Sequence, residues 1–474
     1  MVNCGFSEII HHQKRNVMKK HSLFLLTALL AIACGQPGFA KKKKAPVLPE
    51  VKLKVELDRT VLPAGKAERA VLKISLNPEQ MVREEANRPP VNLAIVLDRS
   101  GSMGGEKIVQ AKEAAIQAIR RMGAKDRISI VAYSNHAETI ASAQSAKNAE
   151  KLIDLVRQLQ ASGGTALYAG VNQGAAEIRK NLDGDYFNRI ILLSDGLANQ
   201  GPSSPADLIR LGGALVKEDI SVSTVGLGAG YNEDLMAGLA KEGQGNLYFA
   251  ETSKELPGIF DAEIGDALNV VARHATLRIE LENGVRPIRL IGREGAILKD
   301  RVEIEINQLY GGQEKFALLE VEVPAGKAKE KKNLARIVAK FKASGNGAVV
   351  SRKASVSCAF SEREKDVTAS INEKVVLAYV DNEVAQAKDE AIALADEGRH
   401  EDAVKKLKKL CLTIDSQNAT WGSSSVNIKN QQFLSELEEL QKDNGLTNKN
   451  RKAWRSSNYQ IQSQQKALPY YPSK

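Results

Sequence analysis

The hydrophobic pattern along the chain changes period several times, and each change marks a predicted element. Val51, Leu53, Val55 and Leu57 alternate with Lys52, Lys54, Glu56 and Asp58, the period of two that a half-buried strand requires. A second strand is expected at residues 70–76, a turn at 63–65, and a polar linker over 77–90. Two strands cannot bury a core alone, so they must pair with strands encoded elsewhere. At residues 93–97 the alternation gives way to an unbroken apolar run, Leu-Ala-Ile-Val-Leu, the mark of a strand buried on both faces; it stops at Asp98. From there strand and helix alternate. Ile108, Ala111, Ala115, Ile119 and Met122 recur at helical spacing, residues 128–133 read as a strand, and Leu152, Val156 and Leu159 mark a helix. Leu167, Val171, Ala175 and Ile178 mark another, followed by a strand at 190–193 that ends on Asp195. Helices at 204–216, 232–240 and 252–272 and strands at 220–225 and 246–249 complete the unit. This order predicts an α/β fold over residues 91–272, a doubly wound and mostly parallel sheet with helices on both faces.

Beyond residue 272 the period of two returns. Leu277, Ile279 and Leu281, then Val302, Ile304 and Ile306, then Leu319, Val321 and Val323, then Ile337, Ala339 and Phe341, and residues 349–356 predict an antiparallel β-sandwich over 273–366. Its strands are the expected partners of those at 51–76, so the α/β unit should be inserted in, or flanked by, one β-domain. Residues 367–444 read as a small α-helical region. Val375, Tyr379, Val384, Ala387, Ala391 and Leu394 mark a long helix and Gly398 a turn. Ala403, Val404, Leu407, Leu410 and Leu412 mark a second helix, and Phe433, Leu434, Leu437 and Leu440 a third. The junction at 395–403 resembles that of a tetratricopeptide repeat, but one unit cannot build a superhelix, and a plain helical hairpin is expected. Lys405, Lys406, Lys408 and Lys409 read as a solvated basic face. Residues 445–474, rich in Asn, Gln, Ser and Lys, are expected to form a disordered polar tail.

The first 50 residues bear on where the protein works. Lys19, Lys20 and His21 precede an apolar run at 23–33, too short to span a bilayer and matching the charged and apolar regions of a bacterial-type signal peptide over residues 1–40. Its true start is either Met1 or Met18. Cleavage would follow Ala40; alternatively, Ala31-Ile32-Ala33-Cys34 resembles a lipoprotein box, and a lipid on Cys34 would attach the chain to a membrane. Lys41 to Lys44 open a basic linker over 41–50, a stalk suited to anionic surfaces. Either route implies export to the periplasm, the envelope or the cell surface.

Composition narrows the function. The chain has 474 residues, 43% of them hydrophobic, enough for several cores. Its formal charge of +10 comes without aromatic-interleaved basic patches or a recognised module, so nucleic acid is not an expected partner. Of four cysteines, Cys4 and Cys34 belong to the leader; Cys358 and Cys411 form neither a disulfide framework nor a zinc spacing. The histidines include no His-Glu-x-x-His, and no complete Walker A loop or Gly-x-Ser-x-Gly elbow occurs. Residues 226–230, Gly-Leu-Gly-Ala-Gly, lack the final spaced glycine of a dinucleotide fingerprint and read as a turn into a helix.

Candidate chemistry gathers where the apolar strands end. Asp98, Ser100 and Ser102 alternate, and Gly101 and Gly104 let the backbone curl, so a carboxylate and two hydroxyls can converge. That donor set suits a hard divalent cation but leaves it short of ligands. Asp195 ends a second strand in the same way, and the glycine-rich turn Ser162-Gly163-Gly164-Thr165 offers another hydroxyl. In parallel sheets ligands bind beyond the carboxyl ends of strands. Asp98-x-Ser100-x-Ser102, Thr165 and Asp195, in this order, resemble the metal-ion-dependent adhesion site of the von Willebrand factor type A domain. The resemblance covers residues 91–272 and implies a Rossmann-like fold. It also implies Mg2+ or Mn2+, with Ca2+ a third candidate, held by the hydroxyls of Ser100, Ser102 and Thr165, while Asp98 and Asp195 act largely through bound waters. Such a cation takes an Asp or Glu of another protein at its open position. Arg99 and Met103 are read as exposed loop residues. In this family the last helix can slide when the coordination changes, which here would tilt the adjoining β-domain; inter-alpha-trypsin-inhibitor-like chains also place a β-module beside such a domain. The expected function is that of an exported, divalent-cation-dependent binding or adhesion protein and not an enzyme. An envelope assembly or scaffold factor without need of the metal, or the partner subunit of an enzyme complex, are the alternatives. Oligomeric state does not follow from the sequence.

Overall fold

The computed structural model describes residues 50–80, 88–182, 186–345, 347–442 and 446–466. The leader with Cys34, the lysine run at 41–44 and the end of the polar tail, 467–474, lie outside them. The chain begins with β1 (Val51–Leu57), β2 (Val61–Pro63) and β3 (Glu68–Pro78). The α/β unit follows as β4 (Val91–Asp98), α1 (Glu106–Arg121), β5 (Arg127–Tyr133), β6 (Ala137–Ser145), α2 (Ala149–Arg157), α3 (Leu167–Arg179), β7 (Phe187–Ser194), α4 (Pro205–Lys217), β8 (Ile220–Leu227), α5 (Glu233–Glu242), β9 (Gln244–Ala250) and α6 (Leu256–Leu268). Its sheet runs β6, β5, β4, β7, β8, β9, parallel except for the β5–β6 pair. Leu93, Ile95 and Leu97 pack with α1, α2 and α6, while Ala94 and Val96 pack with α3, α4 and α5. Burial from both sides is why β4 carries an unbroken apolar run.

The second half builds the sandwich from β10 (Val270–Leu281), β11 (Arg286–Ile291), β12 (Ala296–Ile297), β13 (Arg301–Tyr310), β14 (Lys315–Val323), β15 (Lys331–Ala343) and β16 (Val349–Ser361). One sheet runs β1, β3, β14, β11 and the other β12, β13, β10, β15, β16, β2. In the first, Leu72 of β3 stands opposite Leu319 of β14 and Ala70 opposite Val321, so the orphan strands of the N-terminal part are completed by strands encoded after the α/β unit. The α/β unit is thus an insertion in a β-sandwich whose strands pair antiparallel except for β2 with β16. Leu72, Ile74, Leu277, Ile279, Ile304, Leu319 and Ile337 fill the space between its sheets.

The helical region comprises α7 (Glu364–Ala369), α8 (Glu373–Asp396), α9 (His400–Trp421), α10 (Ser424–Lys442) and α11 (Asn448–Ser463). Val375, Val376, Tyr379 and Val380 of α8 lie against Val71, Ile291 and Leu318 on the outer face of the four-stranded sheet, which is therefore covered on both sides. Lys405, Lys406, Lys408 and Lys409 are exposed. Cys358 and Cys411 are buried free thiols, and among the described residues no helix is long and apolar enough to cross a membrane.

Three expectations require correction. The polar segment after residue 445 contains α11, and tertiary contacts rather than propensity order it. Trp454 is buried with Leu407, Phe433 and Leu437. Arg455 donates to Asp234 and Asp389, each at 2.9 Å, and Lys452 donates to Glu233 at 2.6 Å. Second, the helix expected to reach residue 272 stops at Leu268. There Asn269 exchanges hydrogen bonds with Gly311, at 2.8 Å through its side chain and 3.0 Å through its backbone, and draws the chain into β10. Third, Met103 is no exposed loop residue: it is fully buried in the core beneath α1. Strand β6 escaped the periodicity reading because only Ala141 in it is buried, the mark of an edge strand.

Candidate metal site

The carboxyl ends of β4 and β7, the two central strands, bring Asp98 and Asp195 to one end of the sheet. Past Asp98 the chain leaves the ladder, and Ser100 starts a single 3-10 turn over Gly101–Met103. Buried Met103 anchors that turn, so the hydroxyls of Ser100 and Ser102 are held 3.0 Å apart. The turn is fixed from the side as well: Gly101 N–H donates to Gly163 O at 2.9 Å and Ser162 N–H to Arg99 O at 2.7 Å. These bonds clamp the glycine-rich loop that carries Thr165 against the first loop. Gly163 takes a positive φ of 79° and packs so tightly on Asn135 that a side chain there would be strained.

The hydroxyls and carboxylates form one chain of hydrogen bonds. Ser102 Oγ donates to Asp195 Oδ1 at 2.7 Å, Ser194 Oγ to Asp98 Oδ2 at 2.8 Å, and Ser100 N–H to Asp98 Oδ1 at 2.8 Å. Lys107, from the first turn of α1, reaches Asp195 Oδ2 at 2.5 Å. Asp98, Ser100, Thr165 and Asp195 are buried, while Ser102 is exposed at the mouth. Burial pushes the Asp98 carboxyl above the ordinary aspartate range; the neighbouring Asp195 charge adds to the rise, and hydrogen bonds from Ser100 and Ser194 oppose it.

Thr165 joins the same cluster through Gly196. A Cβ at Gly196 would stand 3.4 Å from Ser102 Oγ and 3.6 Å from Thr165 Oγ1, so glycine leaves open the space those two hydroxyls border. Asn199, three residues on, accepts from Thr165 N–H at 2.8 Å and donates from its backbone to Thr165 O at 3.1 Å. All five residues singled out in the sequence are therefore brought together by three loops. The donor chemistry, three neutral hydroxyls beside two carboxylates, fits a hard divalent cation. Among the described residues no group of three or more His, Cys, Asp or Glu converges to offer a different kind of metal site.

The sequence reading missed Lys107, Ser194, Asn135 and Asn199. Lys107 alone left a signal, because a lysine in the first turn of a helix works against the helix dipole and calls for a local reason. Arg99 is largely buried, with its guanidinium 3.3 Å from Ser162 Oγ and 3.4 Å from Glu138.

Residues 92–262 match the family model of the von Willebrand factor type A domain. A protein of Synechocystis sp., sll0103, is 30% identical over 246 residues, which cover 49% of this chain and 57% of that protein. The inter-alpha-trypsin inhibitor heavy chain H4 of Sus scrofa is 32% identical over 125 residues, 25% of this chain and 14% of the heavy chain. The chain thus spans little more than half the length of the first relative and much less of the second. Among solved structures, the von Willebrand factor type A protein from Catenulispora acidiphila superposes with a TM-score of 0.60 at 18% identity, covering 79% of this chain and 88% of that one. That likeness extends across the α/β unit and beyond it and concerns the fold.

Proposed function

We propose that this chain, which carries a von Willebrand factor type A domain, is an exported protein-binding module that grips an acidic side chain of its partner through a divalent cation. Type A domains typically mediate protein–protein interaction, and the cation-dependent form of that activity is the reading the site favours. One observation carries it: Asp98, Ser100, Ser102 and Asp195 are joined in one hydrogen-bonded cluster, and Thr165 Oγ1 borders the space beside Gly196 that Ser102 Oγ also borders. In this reading Ser100, Ser102 and Thr165 would hold Mg2+ or Mn2+ by their hydroxyl oxygens, and Asp98 and Asp195 would orient those hydroxyls and the ion's waters. A cation with mainly neutral ligands remains electrophilic, which is what a partner carboxylate requires.

The same geometry argues for binding and against hydrolysis. Both oxygens of Asp98 accept hydrogen bonds, from Ser100 and Ser194, and both of Asp195 accept, from Ser102 and Lys107. Asp98, with both oxygens engaged independently of Lys107, is not free to act as a general base. The leader-like stretch supports export, with Cys34 lipidation or the lysine run as routes to a membrane surface. The test is capture of envelope partners on the full chain with Mg2+, with chelator, and with Asp98→Ala. Binding should be lost in the second and third conditions. Binding indifferent to both would replace this reading with that of a metal-independent assembly factor.

A further inference from the structure

We propose that Lys107 is a tethered cation that neutralises the carboxylate pair when no divalent ion is present, so that it competes with the ion and sets its affinity. The inference rests on the metal-site reading above and concerns how that site is loaded. Lys107 Nζ lies 2.5 Å from Asp195 Oδ2, and the Asp195 side chain has no solvent exposure. No other Lys, Arg or His nitrogen among the described residues lies within 4.0 Å of Asp98 or Asp195. Two carboxylates buried in one hydrogen-bonded cluster would repel each other without a compensating charge, and Lys107 is the group that supplies it.

Placement separates this lysine from a structural one. It occupies the second position of α1, where the helix dipole disfavours a cation, so the Asp195 contact has to stabilise it there. Its side chain is 38% exposed, and its long flexible stem can swing the ammonium into water without disturbing the core. By contrast, the guanidinium of Arg189, in the buried interior of the same unit, has no exposure at all. A cation meant to stay would be packed like Arg189; one meant to yield would be left at the rim, as Lys107 is.

A dication entering among Ser100, Ser102 and Thr165 meets an ammonium already bonded to Asp195. Loading therefore costs the Lys107–Asp195 pair and sets like charges against each other. Removing the ammonium should have two opposite effects: tighter binding of the ion, and a less stable metal-free protein. A residue that merely positions Asp195 for the metal would give the reverse of the first.

The experiment is calorimetric titration of Mg2+ alone into the full chain, with thermal unfolding measured in parallel with and without Mg2+. Lys107→Met should bind Mg2+ about tenfold more tightly or better. It should also melt at a lower temperature without metal and gain more in melting temperature from Mg2+ than the unmodified chain does. Lys107→Gln, which keeps a donor to Asp195 but drops the charge, should move in the same direction and serves if the methionine variant folds poorly. Lys107→Arg, which keeps the charge, should stay close to the original affinity. Affinity unchanged or weakened in both neutral variants, with the unmodified chain binding Mg2+, overturns the competitor role and leaves the site reading intact. Absence of Mg2+ binding in every form overturns both.

Discussion

Strand β7 joins two polar clusters of opposite character. Asp195 follows its carboxyl end and Arg189 lies near its amino end, six residues and roughly 20 Å away. At the amino end every group is closed in. Arg189 and Glu263 of α6 are fully buried and paired; the guanidinium also donates to Ser221 and Ser223 at 2.8 Å each and to the Tyr310 hydroxyl at 2.7 Å. Glu263 accepts from Ser223 at 2.6 Å, Asn246 at 2.8 Å and Tyr248 at 2.9 Å. Burial works against its carboxylate, but the Arg189 charge and these hydrogen bonds outweigh it and hold its pKa below the ordinary glutamate range. At the carboxyl end the groups hydrogen-bond one another around a space that a glycine keeps open, with an exposed serine and a half-exposed lysine at the rim. A saturated cluster holds elements together, and an open one awaits a ligand. Here the saturated cluster ties the last helix of the α/β unit to β13 of the sandwich through Gln308 and Tyr310. The helix that the family resemblance expects to slide is therefore held to β7 by a buried ion pair.

The largest expected effect comes from breaking the closed end. Glu263→Ala leaves Arg189 buried without a counter-charge and should cost about 3–5 kcal/mol in chemical denaturation. Replacing both partners by apolar residues, Arg189→Met with Glu263→Leu, should cost less than the single change, because it removes the stranded charge. Magnesium affinity at the far end should stay within about threefold in the folded double variant. A large loss of affinity there would mean that the two clusters are energetically coupled and that the contrast between them is too simple.

A smaller effect tests whether the closed end is saturated for every proton as well. Asp266, one turn beyond Glu263 on α6, accepts from Gln313 Nε2 at 2.5 Å. Burial, and then the Glu263 charge, push its pKa from 3.8 up to about 6. Its proton is thus held more tightly in the folded chain than in the unfolded one. The stability from this group is fully present below pH 3.8 and is lost as the pH rises through about 6. Asp266→Asn keeps the shape and abolishes the titration. The variant should gain on the unmodified chain as pH rises from 4 to 7, by up to ~3 kcal/mol for a shift of about two units. A constant difference across that range would show that Asp266 does not titrate there.

The two ends were not equally legible in the sequence. The open site could be read because its residues sit where apolar runs stop, in short glycine-marked loops, so that Asp98, Ser100, Ser102, Thr165 and Asp195 stand out against their neighbours. The closed cluster could not. Arg189 interrupts the start of β7, Glu263 lies on a helix otherwise read for its apolar side, and Tyr310 comes from another domain; only the folded chain shows that they meet. The same reason explains α11, whose order depends on charges contributed by α5 and α8, which no local periodicity reports. Alternation did reveal most sandwich strands, because side chains there point alternately inward and outward, and it failed for β6, an edge with one buried residue.

The smallest expected effect lies at the edge of the same sheet, where β9 would otherwise present unpaired backbone groups. Just beyond α11, Gln465 covers that edge at one point. Leu247 N–H donates to Gln465 Oε1 at 3.1 Å, and Gln465 Nε2 donates to Leu247 O at 3.2 Å, so one amide side chain acts as a single residue of a neighbouring strand. The adjoining end of α11 is held from the sandwich by Lys315 Nζ, which donates to Ser463 O at 2.8 Å and Gln464 O at 2.9 Å. Gln465→Ala should remove both edge bonds while leaving that grip in place, costing about 1–2 kcal/mol because a buried N–H and C=O lose their partners. Amide exchange at Leu247 should accelerate selectively, while the amides of β4 and β7 keep their protection. Unchanged exchange at Leu247 would mean that the edge is closed by α11 as a whole and that the glutamine adds nothing. Faster exchange spreading inward to β7 would instead make this edge part of what holds both polar clusters in place.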